Sequence, residues 1–306
     1  MRILVTGGAG FIGSHIVDAF VAAGHQVAVV DNLNTGKLAN LNPAVTFYHV
    51  DLRDTEGLAR TFEAARPEII SHQAALADVR GSFREPELYA AVNVVGSINL
   101  LEQARRHGVR KIIYACTGGA AYGEPEYVPV REDHPVNPLD PYGASKHTVE
   151  HYLFIYQRAY GIEYASLRYP NVYGPRQDPH GEAGVVAIFT GKMLADESCT
   201  INGDGTQQRD FVFVTDVARA NLLAATTAGS GIYNIGSGAG TDVNMIFAGL
   251  KAASGYAQPA LYGPAKLGEV YKIYLDAAKA KAELGWEATI SVEDGLRRTV
   301  AYFQDK

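Results

Sequence analysis

Apolar residues fall into short runs through the first half of the chain, and stretches with helical spacing separate them. Arg2–Thr6, Gln26–Asp31, Val45–His49, Glu68–His72, Lys111–Ala115 and Glu163–Arg168 each read as a strand. Between them, Ile12–Ala23 reads as a helix. So does Pro86–His107, with Leu88, Val92, Val95, Leu100 and Leu101 as its apolar positions, and another helix follows Tyr142. Strand–helix alternation of this kind predicts an α/β fold: a doubly wound parallel sheet with helices on both faces.

The alternation loosens after Arg168. Gly and Pro crowd the stretch 170–184, which reads as loop over a site. Phe211–Val214 and Gly231–Ile235 read as returns to the sheet, and short helices are expected near Ala277–Leu284 and Val292–Phe303. No repeat, low-complexity tract or flexible linker divides the chain. The expectation is a first lobe from 1–168 plus about 211–235. A smaller interleaved C-terminal lobe takes about 169–210 plus 236–306.

Composition narrows the function classes. The 306 residues suffice for one large domain or two joined lobes, and a net charge of -6 offers no footprint for nucleic acid. Cys116 and Cys199 are the two cysteines, without a CxxC, so no disulfide framework is expected and a reducing, cytoplasmic location follows. The chain enters a strand at Arg2, with no signal-peptide pattern, and no apolar run is long enough to span a bilayer. The histidines are scattered without ligand spacing, so no metal is expected.

The first chemical signal is Gly7-Gly8-Ala9-Gly10-Phe11-Ile12-Gly13, directly after a strand and directly before a helix. Glycine is needed there for a tight turn, for close approach of backbone amides to a pyrophosphate, and for helix–strand packing. The helix N-terminus then faces the phosphates with its partial positive charge. In that context the segment reads as a Rossmann-like dinucleotide site, with Gly7, Gly10, Phe11, Ile12 and Gly13 as its floor; a plain tight turn is the other reading. Asp31, followed by Asn32, ends the second strand, where a carboxylate accepts ribose hydroxyls and repels a 2′-phosphate; NAD is favoured over NADP. A turn-initiating Asp is the other reading of Asp31. Asp51 and Leu52 follow the third strand and cradle an adenine, unless Asp51 is a helix N-cap.

The second signal is Pro141-Tyr142-Gly143-Ala144-Ser145-Lys146. Tyr142 and Lys146, four apart, share a helix face. Lowering a tyrosine by about 3 units from about 10 takes roughly 4 kcal/mol. An ammonium about 4 Å away at an effective dielectric of about 20 supplies a similar amount before desolvation. The alternative is an exposed Tyr with a solvated Lys.

With both motifs, the chain resembles the extended short-chain dehydrogenase/reductase family, and within it the UDP-glucose 4-epimerases (UDP-galactose 4-epimerases). Further matching features are Asp31-Asn32-Leu33, Asn93, Tyr122-Gly123, Leu167–Pro175, Arg209-Asp210-Phe211 and Ala280–Trp286. The resemblance implies that Tyr142 is the acid/base. Lys146 is then its electrostatic partner and a ligand of the nicotinamide ribose. Gln73, Ala74, Ala75 and Asn93 belong to the dinucleotide cradle, and Tyr169 lies by the nicotinamide. Asn171 and Arg209 contact the sugar-nucleotide phosphates. Lys266 falls where relatives carry a phosphate-binding Arg, and Glu269 where an acid holds the uridine ribose. The partner implied is a UDP-sugar, and the assembly a homodimer built on the Pro86–His107 and Gly143–Tyr160 helices, where Leu153, Phe154 and Tyr156 read equally as exposed or as buried core.

One departure stands out. Relatives place a Ser or Thr a few residues before Tyr122-Gly123, and a strict count from Tyr122 puts Gly118 there. Thr117 is the adjacent hydroxyl and the candidate catalytic substitute; otherwise it merely ends the fifth strand. Related dehydratases and decarboxylases carry an acid between that hydroxyl and the Tyr-Gly pair. Here those positions are Gly118, Gly119, Ala120 and Ala121. The expected reaction is therefore C4 epimerisation through a 4-keto sugar. The rivals are a UDP-N-acetylhexosamine or UDP-glucuronate epimerase, a reductase, or a silent NAD-binding regulator. Ile273 falls near the residue that limits room for a 2-acetamido group.

Overall fold

The computed structural model describes residues 1–179, 184–265 and 270–305. Six strands form where apolar runs predict them: β1 (Arg2–Thr6), β2 (Gln26–Asp31), β3 (Thr46–His49), β4 (Ile69–His72), β5 (Lys111–Thr117) and β6 (Glu163–Tyr169). Every residue of β4 and β5 is buried. Strands covered on both faces read as apolar runs, not as alternation. Shorter strands follow: β7 (Asn171–Tyr173), β8 (Thr200–Asn202), β9 (Gln208–Arg209), β10 (Phe211–Phe213), β11 (Gly231–Asn234), β12 (Thr241–Asp242), β13 (Leu261–Gly263) and β14 (Lys272–Ile273). Of these, β11 joins the central sheet beside β6. The result is a seven-stranded parallel sheet in the order β11-β6-β5-β4-β1-β2-β3. The strand order reverses between β1 and β4, and a crevice opens there at the carboxyl ends of the strands.

Helices cover both faces. On one, Ile16, Val17 and Phe20 of the Phe11–Ala22 helix pack with Val217, Ala220 and Ala224 of the Val214–Thr226 helix. On the other, Leu58 and Phe62, Leu100 and Leu101, and Val149 and Leu153 come from the Thr55–Ala65, Gly96–Arg106 and Pro141–Tyr160 helices. A separate apolar cluster gathers Tyr173, Phe189, Phe211, Phe213, Phe247 and Leu296 away from the central sheet. No helix among the described residues is long and apolar enough to cross a membrane, and none of their His, Cys, Asp or Glu side chains group as a metal site.

Two elements differ from the pattern-based expectation. Phe211–Phe213 does not return to the central sheet; it pairs with β7 in a two-stranded sheet of its own. Pro170 lies between β6 and β7. Lacking an N–H, it ends the β6 ladder and releases the chain upward. The Pro86–His107 stretch is helical, as expected, but its winding is not uniform. A π-helical turn, Ala90–Val95, separates Pro86–Tyr89 from Gly96–Arg106, and the turn directs Asn93 into the interior.

The Pro141–Tyr160 helix is tied to β6 by a buried ion pair. Arg168 donates to Glu150 through Nε at 3.0 Å and Nη2 at 2.7 Å. Their side chains are 2% and 3% exposed. Ser166 Oγ adds a bond at 2.7 Å, and His147 Nδ1 one at 2.9 Å. Burial pushes the Glu150 carboxyl up, but the bonds from His147, Arg168 and Ser166 outweigh it and leave it at about 2. A carboxylate held below its unfolded value of 4.5 stabilises the fold fully above that value and loses the contribution as pH falls through about 2. Glu150→Gln is expected to cost about 3 to 5 kcal/mol at pH 7. In urea titrations its deficit against the native chain should hold from pH 7 to 5 and shrink progressively below about 4.5. A deficit unchanged at pH 3 would contradict this account.

Candidate active site

The glycine turn after β1 is shaped by contacts that leave no room for a side chain. Gly7 has φ +69°, and a Cβ on it would lie 2.7 Å from the Ala74 nitrogen. A Cβ on Gly13 would lie 2.1 Å from the Gly7 carbonyl oxygen, so the helix sits directly on the turn. Gly10 is the N-cap of that helix and supplies no side-chain cap. The first-turn amides therefore point into the crevice. Gln73, Ala74 and Ala75, after β4, form the opposite wall of a cavity of about 550 Å³. Narrow walls, free amides and an N-terminal helix dipole fit a dinucleotide pyrophosphate.

At one end of the cavity stand Asp31, Asn32, Asp51 and Leu52. Asp31 does more than start a turn: it accepts from the amides of Ala9 at 3.0 Å and Leu33 at 2.8 Å while lining the cavity. Asp51 is not an N-cap. That position belongs to Asp54, which accepts from the Gly57 amide. Asp51 instead takes two side-chain bonds from Arg53 and one from Asn32, which hold its carboxyl well below the usual range. Arg53 also lines this end, and nothing in its spacing signalled that.

At the other end lie Thr117, Tyr142, Lys146, Tyr169 and Asn171. Asp140 caps the Tyr142 helix by accepting from the Gly143 amide at 2.7 Å, and Pro141 occupies the first turn. Tyr142, Lys146 and Glu150 then fall at successive four-residue steps on one face. Lys146 is buried, with its ammonium 4.4 Å from the Tyr114 ring centre. Burial draws it down to about 8, against the raising influence of Cys116 and Glu150. Tyr142 runs opposite to the sequence-based expectation. Burial pushes its phenol up, and the influence drawing it down is a hydrogen bond with Thr117, not Lys146. A solvated pair would follow the expected direction; in this buried one, desolvation is the larger effect.

Thr117 and Gly118 have different surroundings. Thr117 lines the cavity, and its Oγ1 accepts from the Ala120 amide at 3.1 Å. A Cβ on Gly118 would meet Leu275 Cδ1 at 2.4 Å, so a packed leucine occupies the space a serine would need.

A family model described as the NAD dependent epimerase/dehydratase family matches residues 3–236. The chain belongs to that family. Among solved structures, it resembles the UDP-glucose 4-epimerase of Thermotoga maritima with UDP-glucose. The two are 51% identical over 100% of this chain and 99% of that one, with a TM-score of 0.98. The UDP-glucose 4-epimerase of Thermus thermophilus in complex with NAD is 47% identical over 99% of both chains, with a TM-score of 0.94. The UDP-glucose 4-epimerase of Mycolicibacterium smegmatis is 42% identical over 100% of this chain and 99% of its own length.

Some expected site residues of this epimerase/dehydratase chain lie outside the cavity. Asn93 is buried behind its wall: Oδ1 accepts from the Leu76 amide at 2.8 Å, and Nδ2 donates to Leu76 O at 3.0 Å and to Ser145 Oγ at 2.9 Å. With those bonds made, it positions the 74–77 wall and the Tyr142 helix. Arg209 does not line the cavity; its Nη1 donates to the carbonyls of Gln208 and Tyr271. Ile273 is buried against Tyr122, Val130 and Leu275. Lys266 and Glu269 lie outside the described residues. Conversely, Asn221 escaped sequence reasoning. Wholly buried, it donates to Tyr169 OH at 2.7 Å and accepts from Gln73 Nε2 at 3.2 Å and Ser71 Oγ at 3.1 Å. It thus orients two cavity-lining side chains from a helix whose spacing reads as plain core.

Gly118→Ser is expected to lower stability by about 1 to 3 kcal/mol through overpacking against Leu275. Adding Leu275→Ala should recover part of that loss. Thermal unfolding of the single and double variants checks it; a single variant as stable as the native chain would refute it.

Proposed function

We propose that this protein interconverts UDP-glucose and UDP-galactose by epimerisation at C4, with NAD as its resident cofactor. The observation that carries the reading is the cavity itself. Thr117, Tyr142 and Lys146 share one cleft with the glycine turn, and the stretch from Gly118 to Ala121 holds no acid. Elimination across the ring needs such an acid; epimerisation needs one acid/base group and a hydride carrier. Full-length likeness to UDP-glucose 4-epimerases supports the same reaction.

Gly7, Gly10, Phe11, Ile12 and Gly13 would hold the cofactor's pyrophosphate, Asp31 and Asn32 its adenine ribose, and Asp51 and Leu52 its adenine. Gln73, Ala74, Ala75 and Tyr169 would flank the nicotinamide end. Bound NAD supplies the acceptor, and later the donor, of the hydrogen at C4. Entering as the phenolate, Tyr142 would take the proton from the C4 hydroxyl and become a phenol; once the 4-keto sugar has turned and hydrogen returns to its other face, Tyr142 gives the proton back to the C4 oxygen. Thr117, which lines the same cavity as Tyr142, would orient the same sugar oxygen. Lys146 keeps its proton below about pH 8 and, from the same helix face, would supply positive charge that favours the phenolate form. Asn171 and Arg209 meet the diphosphate, Arg209 after its side chain leaves the carbonyls it now holds. Binding energy in the nucleotide keeps the intermediate in place while the sugar turns.

In this reading, residues 1–168 with about 211–235 form the NAD lobe, and about 169–210 with 236–306 the sugar-nucleotide lobe. Phe211–Phe213 stands at the seam between them. The location is cytoplasmic and the assembly a homodimer. Phe154 and Ile155, each more than half exposed on the Tyr142 helix, are candidates for its interface; Leu153 and Tyr156 turn into the core.

Purified protein incubated with UDP-galactose, without added NAD, should yield UDP-glucose; UDP-N-acetylgalactosamine run in parallel reports on the acetamido alternative. Conversion of neither would end the epimerase reading. Tyr142→Phe should lower kcat by about 10²- to 10⁴-fold with little change in KM. The native kcat should also fall as pH rises through about 8, where Lys146 loses its proton. Lys146→Arg, charged throughout that range, should lack this limb.

A further inference from the structure

A short segment of the smaller lobe crosses the open side of the dinucleotide cleft, and three bonds fasten it to the opposite lobe. The Pro175 carbonyl oxygen lies 2.9 Å from His15 Nε2. Arg176 Nη2 meets Asp18 Oδ2 at 2.8 Å. Asp178 Oδ2 meets Lys37 Nζ at 2.9 Å. His15 and Asp18 sit one turn apart on the Phe11–Ala22 helix, which opens at the glycine turn. The Lys37 amide in turn bonds to Ala9 O, within that turn. Asn34 and Thr35 line the cavity on the Lys37 side, and Gln177 lines it from the segment itself. The bonds therefore run across the groove whose floor is Gly7–Gly13.

Two further observations favour a ligand beneath the segment. Arg176 has φ +68°, a left-handed conformation that costs a non-glycine residue about 1 to 2 kcal/mol and persists where contacts impose it. The Gln177 Oε1 atom is buried without a hydrogen-bond partner among the described residues, which leaves an unspent acceptor in a segment that borders the cavity.

We infer that Pro175–Asp178 is a clasp over the cofactor, and that its ion pairs to Asp18 and Lys37 set how fast NAD leaves. This rests on the proposed NAD-dependent reading. A dinucleotide lying along the groove departs only after the segment lifts, which breaks both pairs. Lys37 and Asp178 are 60% and 44% exposed, so their pair is weak and screened by salt. The cofactor is thus retained through many turnovers without being locked in.

The test uses the holoenzyme freed of unbound nucleotide. Released NAD is captured by excess alcohol dehydrogenase with ethanol and read as NADH absorbance. Lys37→Met and Asp18→Asn should each speed release about two- to five-fold. The double variant should exceed both, and the exchange Lys37→Asp with Asp178→Lys should return release to near the native rate. Native release should also quicken between low and high NaCl, and Lys37→Met should flatten that dependence. Bound NAD that leaves every variant at the native rate, or an exchange that restores nothing, overturns the clasp alone. A native protein that retains no NAD after reconstitution overturns the NAD-dependent reading and the clasp with it.

Discussion

A carboxylate and a guanidinium, both sealed from water, set the distance between the two elements on which the candidate chemistry stands. Glu150 lies on the helix of Tyr142 and Lys146; Arg168 lies on β6, one residue before Tyr169. Their two-pronged bond fixes helix rotation as well as separation, because a planar fork tolerates little twist. The pair is not isolated. Arg168 Nη1 donates to Tyr122 OH at 2.8 Å, Tyr122 donates to Asn234 at 2.7 Å, and the Asn234 amide donates to Glu132 at 2.8 Å. This chain of bonds holds the loop between β5 and the Tyr142 helix, including the Gly118–Tyr122 stretch. Tyr142, Lys146, Tyr169 and Thr117 thus share one buried frame.

Charge in that frame is set mostly by what stays neutral. His72 lies under Lys146 with its titration pushed down to about 3, by burial first and Lys146 second. Its neighbours decide its tautomer. Ser97 spends its proton on the Asn93 carbonyl, so it accepts from His72 Nε2, while Nδ1 accepts from Thr6. A neutral ring with both nitrogens satisfied adds no competing charge near the ammonium. Thr6 in turn accepts from the Ala74 amide, so the same bonds brace the cofactor-facing wall.

Much of this was legible in the sequence. The apolar runs located β1 to β6 because a doubly covered sheet demands unbroken apolar strands. The glycines of 7–13 announced the turn because no side chain fits at Gly7 or Gly13, and Tyr142/Lys146 announced a shared helix face by spacing. Four things were hidden, each for a physical reason. The π-helical turn that buries Asn93 arises from packing against the 76 loop, and local composition does not register it. Asn221 reads as one polar position on an amphipathic helix until the fold places it under Tyr169. The direction of the Tyr142 shift depends on how dry the site is, which spacing does not convey. Whether Gly118 or Thr117 faces the cleft turned on Leu275, far along the chain.

The contacts of the last residues with the central sheet's helical cover have a consequence for how the chain is made. Asp216, at the start of the helix that backs β5 and β6, accepts from the amides of Thr289 and Ile290 and from the Thr289 hydroxyl. Trp286, wholly buried, donates to the Asp216 carbonyl. One face of the central sheet is therefore closed over by residues synthesised near the end. At about 5 to 20 residues per second, a ribosome that has finished β6 needs on the order of ten seconds more to deliver them. During that interval the nascent sheet carries an open apolar flank, and a molecular chaperone has its opportunity there.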